Sequence, residues 1–156
     1  MDLISDGNEV QCNRFENRVD TFCPECGAPA VNGMNCREQL GAIGAWEFED
    51  PELLAEHFLT VASYNLQHPA QFTDEALNQL RSVFIEHLDN GLPVAEIRKR
   101  IGKANAGTQR VLKGESERFP TLRNWTLTIA NVYIPDQPQY AAQRVRAWAA
   151  TIRSEL

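Results

Sequence analysis

The sequence predicts a mainly α-helical protein, and three observations carry that prediction. Apolar residues recur at three- and four-residue spacing in several stretches, each bounded by helix-capping residues or proline. Only one short stretch alternates as a strand would, and a single strand has no partner. All four cysteines, Cys12, Cys23, Cys26 and Cys36, precede or open the first helical stretch. At 156 residues, 43% of them hydrophobic, the chain is long enough to bury one core and too apolar to be disordered throughout.

From the N-terminus, residues 1–22 show no clear period and read as a loosely ordered arm. Cys23-Pro24-Glu25-Cys26-Gly27 follows. Two thiols separated by two residues can turn toward one tetrahedral ion, and Gly27 tolerates the positive φ that aims backbone amides at the sulfurs. In a reducing compartment, clustered thiols read as metal ligands before disulfides. A redox dithiol is the rival reading, but it needs a helix opening at the motif, and Pro29, Asn32 and Gly33 follow instead. The expected architecture is a small zinc-knuckle-like N-terminal segment packed on a compact bundle of about five helices, with residues 23–156 forming a single zinc-containing domain.

The first helix opens at Asn35-Cys36-Arg37-Glu38, a capping box, and runs through Leu40, Ile43 and Trp46 to near Asp50. Cys36 falls in its first turn, where the helix dipole favours a thiolate. Asp50-Pro51-Glu52 supplies an N-cap, a first-position proline and an acidic first turn to a second helix. That helix is expected to run unbroken to about Gln67 and to stop before Pro69, with Leu54, Phe58, Val61 and Tyr64 or Asn65 as its apolar face and His57 on the same side. A third opens at Thr73-Asp74-Glu75, carries Leu77, Leu80, Phe84 and Leu88, and closes at Asn90-Gly91. A shorter fourth follows Pro93 with Val94, Ile97 and Ile101, and residues 102–120 read as a long basic loop. Over 124–133, Trp125, Leu127 and Ile129 alternate with Thr126 and Thr128, which fits a strand or a helical turn from Thr128. The last helix begins at Asp136-Gln137-Pro138 and lines up Val145, Trp148, Ala149 and Ile152.

A tetrahedral zinc ion on Cys23, Cys26 and Cys36 needs a fourth donor. Cys12, His57 and His68 are the candidates. His57 and His68 are eleven residues apart, about 16 Å along a straight helix, so one ion takes at most one of them. The expected site is Zn2+ on Cys23, Cys26, Cys36 and His57. His68 is read as a structural stop, hydrogen-bonded near the end of its helix ahead of Pro69.

The net charge of −6 is unevenly spread. Residues 1–90 hold four arginines, no lysine and sixteen acids, a balance of −12. Residues 91–156 hold eleven basic residues and five acids, a balance of +6. The two parts are expected to attract each other, within one molecule or between two. An acidic chain with few aromatics in its basic stretch, Arg98 to Arg123, is a poor nucleic-acid binder. No apolar run is long enough for a membrane span, and the first residues lack a signal-peptide pattern, so a cytoplasmic protein is expected.

Cys23-Pro-Glu-Cys-Gly, the later Cys36, and His57-Phe-Leu-Thr-Val-Ala-Ser-Tyr64-Asn-Leu-Gln67-His68-Pro69 together resemble an uncharacterised bacterial family, domain of unknown function 5946. Val145-Arg-Ala-Trp148-Ala is similar to that family's ending, and the resemblance covers about residues 23–156. It implies no established activity. Where the family tends to carry aspartates, this chain has Ala62-Ser63 and Asn131.

Two functions fit these residues. A full set of four ligands makes a structural site in a protein-interaction module, with a second copy of the chain or another protein as partner. The alternative is a zinc-dependent hydrolase or lyase with an open coordination position, in which His68 or Glu56 handles protons. Three thiolates blunt the ion as a Lewis acid, and no His-Glu-x-x-His signature is present, so the first is preferred and no catalytic residue is assigned.

Overall fold

Helix α1 (Cys36–Trp46) starts where its capping box says it should: Asn35 Oδ1 accepts from the Glu38 amide at 2.9 Å, and Glu38 Oε2 accepts from the Asn35 amide at 2.8 Å. The structure, a computed structural model, describes residues 21–107 and 110–156. Cys12 and residues 1–20 of the expected arm lie outside them.

Asp50 caps α2 (Pro51–Ala55) by accepting from the amides of Glu52 and Leu53. The expected continuous helix then breaks at Glu56, whose backbone (φ −95°, ψ 11°) leaves the helical region before α3 (His57–Gln67) resumes. The break changes which residues face inward. Leu53 is fully buried and Leu54 is 55% exposed, while α3 buries Leu59, Ala62, Ser63, Tyr64, Leu66 and Gln67. Of the predicted face, Tyr64 is buried and Phe58 packs half-buried against the core, whereas Leu54 points to solvent and its place is taken by Leu53.

Thr73 caps α4 (Asp74–Asn90) through the Ala76 amide, and Gly91 ends it at φ +69°, a left-handed conformation that costs glycine little. Helix α5 (Val94–Asn105) follows Pro93 and joins Val83 and Leu92 in a small side core through Ile97. The loop from 110 to 128 is irregular apart from one 3-10 turn at Glu115–Glu117. Over 124–133 the helical alternative holds: α6 (Ile129–Val132) forms, and among the described residues there is no strand. The alternation of Trp125 and Leu127 serves other ends, since Arg123 lies over the Trp125 ring and the Leu127 carbonyl accepts a side-chain bond.

After a 3-10 turn at Pro138–Tyr140, α7 (Ala141–Glu155) buries Val145, Trp148, Ala149 and Ile152 completely, as its spacing predicts. It packs on α3 and α6, so α3 lies at the centre of the bundle. One buried amide joins these elements: Gln67 Oε1 accepts from Trp148 Nε1 at 3.3 Å, and its Nε2 donates to Leu127 O at 2.8 Å. Both ends of a side chain that would be costly to bury alone are thereby satisfied.

The uneven charge also resolves within the molecule. Arg146 reaches Glu52 and Glu56, Arg153 reaches Asp89, and Arg100 reaches Glu86, each from the basic part to the acidic part. These pairs are exposed, so each adds at most about 1 kcal/mol. No described helix is long and apolar enough to cross a membrane.

Trp148→Ala is expected to destabilise the fold by about 3–5 kcal/mol, because it opens a large cavity and leaves Gln67 Oε1 unpaired. Chemical denaturation measures this directly. Phe48→Ala, at a side chain 93% exposed, should change stability by less than about 0.5 kcal/mol in the same assay.

Candidate metal centre

Four donor atoms converge where the N-terminal segment meets α1 and the end of α3. They are the Sγ atoms of Cys23, Cys26 and Cys36 and Nε2 of His68, all within 4.8 Å of one another. His68 Nε2 lies 3.5 Å from Cys23 Sγ and 3.4 Å from Cys36 Sγ. A tetrahedral ion with metal–sulfur bonds of about 2.3 Å and a metal–nitrogen bond of about 2.0 Å would hold N and S about 3.5 Å apart. The donor set and its spacing therefore fit a bound metal ion.

The knuckle is built by the backbone around Cys23 and Cys26. Cys23 donates its amide to Ala28 O at 2.9 Å, Gly27 donates to Cys23 O at 3.0 Å, and Gly27 sits at φ +75°. A side chain at Gly27 would be strained in that conformation. The turn aims the Cys26 amide at Cys23 Sγ and the Ala28 amide at Cys26 Sγ, both at 3.4 Å. From α1, the buried Gln39 amide donates to Pro29 O and Met34 O, closing the loop that carries the chain to Cys36. Glu25 stitches the knuckle to the far side of the site: its Oε1 accepts from the Ala70 amide at 2.7 Å and its carbonyl from the Arg123 amide at 3.1 Å.

His68 is positioned by where α3 ends. It is the C-cap residue, and the following proline keeps it out of the helix. Its Nδ1–H donates to Tyr64 O at 2.6 Å, which leaves Nε2 to turn its lone pair to the sulfurs. The Tyr64 ring stacks on the imidazole, with centroids 4.0 Å apart, and its hydroxyl lies 3.8 Å from Cys36 Sγ. Besides His68, the Cys26 amide approaches Cys23 Sγ, the Ala28 amide Cys26 Sγ and the Tyr64 hydroxyl Cys36 Sγ.

This crowding shows in the acidities. Cys36 is pulled down to about 3, first by the hydrogen bond from Cys26 and then by His68 and Tyr64, against the effect of burial. Cys26 is pushed up by the same hydrogen bond and by burial. Burial alone would lower His68, but Cys36 and the Tyr64 carbonyl outweigh it and raise the ring to about 9. Tyr64 is raised by burial and by the neighbouring Cys36. Three sulfurs in one small space hold negative charge that protons or a cation must neutralise, and a divalent ion does so by displacing the protons.

The structure brings Cys23, Cys26 and Cys36 together and puts His68, not His57, beside them. His57 is 56% exposed at its side chain, and its Nδ1–H donates to Glu47 Oε2 at 2.8 Å. The reason is geometric. Helices α1 and α3 run antiparallel and each has eleven residues, so Cys36 at the start of α1 meets the end of α3, and Glu47 just past α1 meets its start. His68 does bond near its helix end, as expected, but it also supplies the fourth donor atom. The signal that could have found it was the short Asp50 connection, which implies an antiparallel pair. Glu56, the other proton carrier considered, is held by Arg146 at 2.7 Å. His87 donates to Leu92 O at 2.6 Å in the side core.

The chain belongs to a family of unknown function (DUF5946), whose family model matches residues 21–156. No curated protein and no solved structure matches it.

His68→Ala is expected to lower bound metal per chain sharply, whereas His57→Ala leaves it unchanged, as measured by elemental analysis of the purified variants. The reverse pattern would restore His57 to the donor set. Tyr64→Phe should keep the metal and speed alkylation of Cys36, since it removes one of the groups hydrogen-bonded to that sulfur.

Proposed function

We propose that this member of the DUF5946 family is a zinc-stabilised helical protein whose ion is structural, and that its folded surface engages a protein partner, a second copy of the chain included. The observation that carries this reading is the donor set itself, three sulfurs and one imidazole nitrogen within 4.8 Å. Thiolate-rich tetrahedral sets favour zinc among the divalent ions that prefer four ligands, and iron–sulfur centres more often take cysteine alone. Four protein donors leave the ion no position for water. Three thiolates also supply enough negative charge to weaken it as a Lewis acid. Reduced thiols suit a cytoplasmic setting.

The partner side of the proposal is supported by apolar side chains left in solvent at the knuckle. Phe22 is 63% exposed and Leu122 58%, and Leu122 lies against Gly27. In the basic stretch, Arg100 and Arg110 are engaged by Glu86 and Glu117, which reduces the charge on offer to nucleic acid.

Protein purified without added metal should carry about one zinc per chain, with X-ray absorption showing three sulfurs, one nitrogen and no water. Well under one zinc, or an exchangeable water on the ion, overturns the structural role. Chelation should raise amide hydrogen exchange in residues 21–50 and at the end of α3 before it does so in α7, because metal binding contributes folding energy where the ligands lie. Sedimentation across a concentration series tests self-association. A monomer throughout, together with no partner recovered by cross-linking, overturns the interaction role and leaves the metal role standing.

A further inference from the structure

The three sulfurs of the centre are not equally hidden. Cys26 is 1% exposed and Cys36 8%, whereas Cys23 is only half-buried. A groove of about 370 Å3 between the knuckle and the start of α1 is lined by Cys23, with Asn35 and Arg37 making part of its wall polar. A small polar oxidant can enter such a groove with water. Cys36 borders it too, but that sulfur is covered by the Tyr64 hydroxyl at 3.8 Å and by His68 Nε2 at 3.4 Å. Cys26 does not line it.

Exposure decides which sulfur reacts. The thiolate is both the metal ligand and the nucleophile, so binding an ion keeps a sulfur in its reactive form. Which member of a cluster is oxidised then follows access from solvent. The second sulfur needed for a disulfide is already in place. Cys26 is three residues on in the turn that the Gly27 amide closes on the Cys23 carbonyl at 3.0 Å, and its Sγ lies within 4.8 Å of Cys23 Sγ. Residues three apart in a tight turn have Cα atoms within about 7 Å, close to the span a disulfide accepts.

We infer that Cys23 is the peroxide-reactive sulfur of this protein, and that its pairing with Cys26 releases the ion and detaches the knuckle from α1 and α3. The inference rests on the structural ion proposed above. Cys23 Sγ attacks one oxygen of hydrogen peroxide: an S–O bond forms, the O–O bond breaks, and the departing hydroxide takes a proton and leaves as water. Cys23 is then a sulfenic acid, oxidised by two electrons. Cys26 Sγ attacks Cys23 Sγ, the S–S bond forms, the S–O bond breaks, and a second hydroxide leaves as water with another proton. Peroxide accepts both electrons. The donors that remain are Cys36 on α1 and His68 at the end of α3, so the part that comes loose is the knuckle. Phe22, exposed in the wall of the same groove, loses its fixed place with it, which withdraws part of the surface proposed for a partner.

The test adds hydrogen peroxide to the full chain carrying zinc. Zinc release is followed with a coloured chelator, sulfenic acid is trapped with dimedone, and disulfides are located by peptide mass spectrometry. A Cys12→Ser chain run alongside removes the cysteine that lies outside the described residues. Dimedone is expected to mark Cys23 before Cys26 or Cys36. Without dimedone, a Cys23–Cys26 disulfide forms, about one zinc leaves per disulfide, and a dithiol reductant restores binding of added zinc. A first adduct on Cys26 or Cys36, a first disulfide other than Cys23–Cys26, or zinc retained after Cys23 has reacted overturns the inference. Zinc measured before peroxide is added separates the two readings. Too little at the outset removes the structural ion, whereas a loaded chain that keeps its zinc through oxidation removes this inference alone. The four donors stay unaltered throughout, so the result does not depend on the folding of a ligand variant.

Discussion

One imidazole nitrogen has to reach three sulfurs that come from two different stretches of chain, and residues 21–68 are arranged around that requirement. His68 Nε2 can do so only if α3 stops at Gln67 and if α1 begins opposite that stop. Pro69 meets the first condition by denying His68 a helical backbone. Asn35 and Glu38 meet the second by setting the first residue of α1 at Cys36. The knuckle then has to close over the pair, and Gln39, Glu25 and Gly27 each hold it at a different point.

The site is tied to the bundle through adjacent residues with opposite duties. Gln67 turns inward and joins Trp148 of α7 to the carbonyl of Leu127, while His68 turns to the sulfurs. Neither side chain can shift much without moving the other. Tyr64 adds a second connection one turn earlier, since its carbonyl, ring and hydroxyl touch His68 and Cys36 separately. The N-terminal knuckle is thereby joined to the bundle through Tyr64 and Gln67 of α3 and His68 just past its end.

Most of the helices were legible in the sequence because their ends carry chemistry of their own. The Asn35 capping box, the Asp50-Pro51 start, the Thr73 cap and Gly91 all act where they were read. The face of α7 was legible too, since a long helix buried on one side keeps a clean period. What the sequence did not reveal was the interruption at Glu56. No proline or glycine marks it, and the residue ends α2 by backbone conformation alone. Ahead of that break Leu53 takes the inward place expected of Leu54, whereas Phe58 and Tyr64 beyond it pack inward as read. The three thiols were legible from their spacing, whereas the choice between His57 and His68 depended on how two helices lie side by side. Their equal lengths decide it, and length is what boundaries read from sequence define least well.

All four donors occur within the first 68 residues, and the helix that completes the core around α3 is the last in the chain. A ribosome delivers residues in that order. The donor set is therefore complete while α7 is still unmade, and the central helix, with Gln67 at its end, waits exposed for Trp148 to arrive. At about 5–20 residues per second, the wait is several seconds long. For that interval the side of α3 that α7 later covers is open to chaperones or to misassembly with another copy.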